Sequence, residues 1–328
     1  MDSGKTPIEP AEGTPESDEF DFVSDWDKLS IPPRDAGSNV WQHVYEGGRR
    51  YHLYKHGRYP IPNDETEQDR EDMKHAMMME LCDGSLFYAP IGDFPKKIMD
   101  IGTGTGIWAI EVGDLFPDAE ILGTDLSPIQ PEWVPQNVRF MVDDCEDDWL
   151  NGFGWDFVHL RQMSGMVRNI EKVILQSFEH IKPGGWIELQ DLHVRVNCDD
   201  GSMPIDDPLK RFYTIVFEAL AKQGLDCDKP KNLRHTLERA GFVNIQCVRK
   251  KVPIGVWAKD PALRIVGHYM KTAILDVIPA LAGKPFEDIQ VSKVESAVWL
   301  AKLRQSLEDT NVHRYFTFFF WFAQKPLP

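Results

Sequence analysis

The sequence predicts an α/β fold built on a largely parallel sheet. Three observations carry this. Between residues 96 and 194 short apolar runs alternate with segments of helical periodicity, the pattern of βαβ units. The first run ends in a glycine-rich turn, Asp100-Ile-Gly-Thr-Gly-Thr-Gly106, that opens a helix. The next two runs end in aspartates, Asp125 and Asp143-Asp144.

Taken in order, residues 1–36 are acidic and rich in Pro, Gly and Ser, and read as a disordered tail. Its segment Phe20–Trp26 reads as solvated chain or as a short docking element. Residues 37–92 form an N-terminal helical and aromatic lid segment. Aromatic and charged residues interleave there up to Pro60 and Pro62, after which ETEQDREDMKHAMMMELCDG is expected to be helical. Asn63 or Asp64 is the expected N-cap, and Met73, Ala76, Met77 and Leu81 make one apolar stripe. A third segment, 93–328, holds the sheet. KKIMDIG, AEILGTDL, NVRFMVDD, WDFVHLRQ and WIELQDLHVRV are its first five strands, with TGIWAIEVGDLF and NIEKVILQSFEHI as helices between them. FVNIQCVRKKV is a sixth strand, and helical insertions are expected at about 203–224 and 259–310. The closing run RYFTFFFWFAQKP lacks polar alternation, which suits a strand buried on both faces.

Composition narrows the partners. The formal net charge is −16, and residues 1–30 carry nine acids against two lysines. Such a surface repels a phosphate backbone, so nucleic acid is not expected as a partner. No apolar stretch is long enough to span a membrane, and the N-terminus lacks the basic and apolar regions of a secretory signal. The five cysteines are scattered, with no CxxC pair, and read as reduced thiols of an intracellular protein, cytoplasmic and/or nuclear. No metal site is expected, because no His/Cys cluster has ligand spacing.

The glycine loop is where chemistry concentrates. Gly102, Gly104 and Gly106, with Thr103 between them, let a ligand approach the backbone at a helix N-terminus. Two ligand classes use such a loop. Gly104-Thr-Gly106-Ile-Trp-Ala109 fits the dinucleotide pattern G-x-G-x-x-A. The other ligand is S-adenosylmethionine, and the acids favour it. Asp100, just before the glycines, would repel a pyrophosphate but suits the ammonium of a methionine moiety, directly or through water. Asp125, followed by Leu126, can accept both ribose hydroxyls, although dinucleotide sites share that device. Asp144 and the N–H of Cys145 match the N6 donor and N1 acceptor of adenine. Singly, each acid could be a cap or a turn residue; in this order, at successive strand ends, they point to S-adenosylmethionine as cofactor.

DIGTGTGIWAIE, GTDLSPIQP, FMVDDCEDDW, FVHLRQM and HIKPGGWIELQD resemble the motifs of fungal LaeA-like methyltransferases, and GRRYHLYKHGRYPIPNDETEQDREDMKHAM resembles the stretch that precedes them there. The resemblance is close over residues 40–195 and looser beyond. It implies a class I, Rossmann-like sheet of seven strands, mostly parallel with the last antiparallel, helices on both faces, and helical lid insertions. It also implies one of two roles: a tailoring enzyme that methylates a small-molecule acceptor in secondary metabolism, or a regulator working through a velvet-type protein partner. The intact loop and acids favour the enzyme. The Met-rich helix (Met73, Met77, Met78, Met79) offers either a partner surface or core packing.

Methyl transfer from a sulfonium needs alignment above all, and a general base only for a poorly acidic nucleophile. His193, past the fifth strand, is the base candidate, with Asp191 to orient it; its plainer reading is a strand-end histidine. Arg161 is expected to hold the methionine carboxylate or a substrate acid, unless it makes a surface ion pair. Tyr51, Tyr54 and Tyr59 interleave with Arg49, Arg50 and Arg58. Tyr51 is expected to face the cofactor by cation–π contact, or else to pack as ordinary core. Trp257, His268 and Tyr269 are candidate walls of the acceptor pocket.

Overall fold

The computed structural model describes residues 8–9, 42–282 and 291–328. Apart from Ile8 and Glu9, the acidic stretch 1–36, with its segment 20–26, lies outside the described residues.

The chain enters on a hairpin that the mixed composition of this stretch does not announce. Strand β1 (His43–Glu46) pairs antiparallel with β2 (Arg49–His52). Gly47 and Gly48 form the turn, at φ of 58° and 82°, the left-handed pair that matches strand twist and that glycine adopts without strain. Helix α1 (Glu65–Leu81) follows, capped by the Asp64 side chain on the Glu67 N–H. The same carboxylate receives Arg49 at 2.5 and 2.8 Å, tying hairpin to helix.

Next come β3 (Lys97–Ile101), α2 (Ile107–Leu115), β4 (Glu120–Asp125), β5 (Val138–Val142), β6 (Trp155–Arg161), α3 (Ile170–His180) and β7 (Ile181–Asn197). These strands pair in parallel. The period-2 alternation of β3 explains its central place. Ile98 packs with Trp108 and Phe157 towards α2, while Met99 and Ile101 pack with Val173 and Ile174 towards α3. Helix α4 (Pro208–Lys222), α5 (Arg234–Ala240), β8 (Val243–Pro253), α6 (Pro261–Leu281), α7 (Lys293–Leu307) and β9 (Tyr315–Gln324) complete the described chain. Helix α4 falls within 203–224, and α6 and α7 within 259–310.

The seven-stranded sheet runs β5-β4-β3-β6-β7-β9-β8. Strand β9 lies antiparallel between β7 and β8. Its aromatics divide by parity. Phe316, Phe318 and Phe320 join the cluster of α1, α4 and α6, whereas Phe319 and Trp321 join that of α3 and α5. Each buried ring contributes roughly 1.5–3 kcal/mol, so the run without polar alternation stabilises both layers at once. Strand order reverses between β3 and β6. Open α/β sheets bind ligands at that point, outside the carboxyl ends of the strands.

Candidate functional site

A cavity of about 250 Å³ lies at those carboxyl ends. Of the residues expected there, Gly102, Gly104, Asp125, Leu126, Asp144, Cys145 and Arg161 line it. Gly104 has φ of 59°, and a Cβ built on it would meet no atom within 4 Å; the loop leaves open space where a ligand can reach the backbone. Gly106 caps α2 at φ 85° against the Phe140 ring, behind the cavity wall.

Asp125 ends β4 and braces the loop. Its Oδ2 accepts the Gly104 N–H at 2.9 Å, and its Oδ1 accepts the Ser127 N–H at 2.9 Å. Burial pushes its carboxyl up to about 6, against the lowering effect of those N–H groups. Asp144 lies just past the end of β5. Its Oδ2 takes Lys55 Nζ at 2.9 Å and Arg58 Nε at 3.1 Å, both from the segment after the hairpin. Burial would raise its carboxyl, but Lys55 and the Glu146 N–H outweigh that and hold it below the usual range. The expectation for Asp144 is therefore modified: in this structure the carboxylate that would meet adenine is engaged by two cations. The neighbouring Cys145 N–H makes no hydrogen bond among the described residues.

Asp100 and Thr103 stand behind the cavity instead of lining it. In register, Asp100 pairs with His159 of β6. Its Oδ1 lies 2.7 Å from His159 Nδ1, its Oδ2 accepts the Thr103 hydroxyl at 2.6 Å, and it is 2% exposed. His159 in turn stacks on Trp108, ring centroids 3.6 Å apart. Direct contact of Asp100 with a ligand ammonium is thus corrected to support of the loop, because strand parity turns its side chain towards α2.

Three further expectations are corrected. Tyr51 does not line the cavity; Tyr59 does. On β2 it is His52, 1% exposed, that turns inward, and Tyr51 points to the opposite face. His193 does not line the cavity either. Its Nε2 lies 2.8 Å from Asp228 Oδ1, beside Arg195, which also pairs with Asp228. Asp191, two residues earlier, does line it and accepts the Ser164 N–H at 3.0 Å, which shapes the turn after β6. Replacing His193 by Gln is expected to leave turnover unchanged in a steady-state assay; a strong fall would return it to the mechanism. Trp257, His268 and Tyr269 also lie off the cavity. Trp257 donates to the Arg314 carbonyl at 3.1 Å in a separate small cluster, and α6 presents Met270, Ala273, Ile274 and Val277 to the cavity in their place.

Helix α1 contributes what residue-type reasoning does not find. Glu67, Arg70, Glu71 and Lys74 share one face at i, i+3, i+4 and i+7, and all four line the cavity. Glu67, Arg70 and Lys74 are all buried. Glu71 receives Arg70 at 2.7 Å and Lys74 at 2.6 Å; Arg70 also pairs with Glu67. The charged stripe runs on, along the same inward face, into the buried apolar positions Met77, Met78 and Leu81. Of the four methionines, Met77 and Met78 are core, whereas Met73 and Met79 are half-buried. Arg161, at the end of β6, donates Nη1 to His75 Nδ1 at 3.0 Å and faces the acids of α1.

A family model described as a methyltransferase domain matches residues 73–247, more than half of the chain. The chain is similar to methyltransferase pytC of Aspergillus terreus, 40% identical over 291 residues, covering 88% of this chain and 90% of that protein. It is 34% identical over 289 residues to secondary metabolism regulator LAE1 of Cochliobolus heterostrophus, covering 86% and 94%. It is 32% identical over 287 residues to protein-methionine methyltransferase laeA of Emericella nidulans, covering 86% and 76%. Among the described residues no helix is long and apolar enough to cross a membrane.

Proposed function

The chain belongs to the fungal LaeA-like methyltransferase family, and from that premise we propose that it transfers a methyl group from S-adenosylmethionine to a small molecule. The observation that carries the reading is the Asp125 carboxylate, buried at the β4 end, braced by the Gly104 N–H and open to the cavity. Its free lone pairs suit a ribose diol. The Cys145 N–H suits adenine N1, and Arg161 suits the methionine carboxylate. The open space at Gly104 fits the same molecule, so the residues present accommodate the cofactor. When bound, the cofactor supplies an already activated methyl group. The protein's part is then to bind, align and exclude water. Tyr59, Arg58 and Lys55 serve this as the lid, drawn to the β5 end by the Asp144 ion pairs.

The acceptor seat is the part of the cavity beneath α4 and α6. It is concave and mostly apolar, which supports a small molecule over a protein segment. Action through a protein partner is the competing reading; Met77 and Met78, two of the four methionines that would have offered it a surface, are buried.

Calorimetric titration with S-adenosylmethionine, S-adenosylhomocysteine and NAD tests this. Micromolar binding of the first two supports the enzyme. Binding of NAD alone restores a dehydrogenase, and binding of none moves the partner-dependent regulator ahead. The same titration carries a pH expectation. The Asp125 carboxyl sits at about 6 in the free protein, so it is ionised at neutral pH and protonates as pH falls through 6. A protonated carboxyl can no longer accept both hydroxyls. Affinity is therefore expected to be flat above pH 7 and to fall about tenfold per pH unit well below 6. An Asp125→Asn protein should show no such step; a wild-type profile flat down to pH 5 would count against the assignment.

A further inference from the structure

The charged face of α1 meets the apolar chamber in a way that methyl transfer alone does not require. The chamber walls are Val216 and Phe217 from α4, Ile274 and Val277 from α6, Val194 from β7 and Phe316 from β9. Into this surface α1 turns two acids and two bases. Burying ionised groups costs several kcal/mol each unless every charge is well matched, and a stripe of them in a cavity marks a site for a charged or polar ligand.

The four cations that line the cavity are not equivalent, and Arg58 is taken by Asp144 and Glu146. Arg70 is held by Glu67 and Glu71. Arg161 sits on the glycine-loop side, beside His75. Lys74 is 8% exposed, and its ammonium, with three donors, makes one hydrogen bond among the described residues, to Glu71 at 2.6 Å. Burial and the adjacent Arg70 lower Lys74 to about 8 even with Glu71 in contact. Burial also raises Glu67, which weakens its counter-charge. The field of Arg70 reaches Tyr213 on α4 and Asp276 on α6, so this cluster borders the acceptor chamber.

We propose that the acceptor is an apolar molecule bearing one anionic oxygen, and that Lys74 receives that oxygen at the boundary between the α1 charges and the chamber. This rests on the methyltransferase reading above. An oxygen that arrives ionised, as a carboxylate or as the anion of an acidic phenol or enol, would form its O–CH3 bond as the S–CH3 bond breaks, the electron pair returning to sulfur to leave neutral S-adenosylhomocysteine, with no proton lost. No general base is then needed, in keeping with the position of His193 outside the cavity.

The test uses the full chain saturated with S-adenosylhomocysteine, titrated with 2-naphthoate, 2-naphthol and the neutral 2-naphthamide. Wild type is expected to bind one of the ionisable probes about tenfold more tightly than the amide. Preference for naphthoate assigns a carboxylate acceptor, and preference for naphthol an acidic hydroxyl. Lys74→Met should abolish the preference and hold S-adenosylhomocysteine affinity within about twofold. Glu71→Gln, which removes the competing carboxylate, should strengthen anion binding several-fold. A merely loosened fold would weaken both variants alike, so opposite shifts isolate the electrostatic role. Equal affinity for all probes, no binding of any, or loss of S-adenosylhomocysteine affinity in Lys74→Met would overturn the proposal. Failure of wild type to bind S-adenosylhomocysteine would instead defeat the cofactor reading on which it rests.

Discussion

Asp125→Ala is expected to weaken binding of S-adenosylmethionine and S-adenosylhomocysteine at least about 100-fold, with turnover falling in parallel at fixed cofactor. Two hydrogen bonds from a diol to a buried carboxylate are at stake, each worth roughly 1.5–3 kcal/mol. The same change removes the brace on the glycine loop, because the Gly104 and Ser127 N–H groups lose their acceptor. Asp125→Asn retains one acceptor oxygen and should fall between wild type and Ala. The fold should survive, since the carboxyl already carries a desolvation penalty that lifts it to about 6. Removing it relieves that penalty. Calorimetry and a melting curve on the ligand-free proteins separate the two effects. If the Ala protein binds cofactor like wild type, Asp125 only shapes the loop.

How much of this site the sequence discloses depends on how local the chemistry is. The glycine loop and the acids at Asp125 and Asp144 are readable because each directly follows a short apolar run, which places it at a strand end by local pattern alone. Strand β9 is readable because a dense aromatic run without polar alternation needs apolar partners on both of its faces, which only an interior strand provides. Side-chain direction is less so. Whether Asp100 faces a ligand or His159 is set by its register with β6, 59 residues away in sequence. His193 is claimed by Asp228 from a turn 35 residues on. On α6 the signal was present but differently encoded. Met270, Ala273, Ile274 and Val277 form an i, i+3, i+4, i+7 stripe that faces the chamber, whereas Trp257, His268 and Tyr269 attract notice by residue type and lie off it. The α1 charges are hard for a physical reason: Glu67, Arg70 and Lys74 share the buried face with Met77 and Met78, so charge does not mark the solvent side of that helix.

Arg314→Leu is expected to lower stability by about 3–5 kcal/mol. Arg314 is 3% exposed and Asp207 1%. The guanidinium donates to Asp207 Oδ2 at 2.8 Å and to the Ser306 carbonyl at 3.0 Å. Asp207 also caps α4 through the Lys210 N–H at 2.9 Å. One ion pair thus ties the entry of β9 to the start of α4 and the end of α7. Removing the cation strands a carboxylate where water cannot reach it, so the loss exceeds what the pair itself contributes. For a chain of this size the melting temperature should drop by roughly 4–7 °C. Asp207→Asn in the same background keeps the cap and removes the stranded charge, and should recover part of the loss, a coupling that a double-mutant cycle reads directly. Function should divide along the same line. Helix α4 walls the acceptor chamber, while Asp125 and the glycine loop stand on the sheet. Below its melting temperature, Arg314→Leu should lose affinity for the naphthalene probes and keep that for S-adenosylhomocysteine. A variant melting within about 2 °C of wild type would show that the pair is replaceable, and equal losses at both sites would show that roof and sheet unfold as one unit.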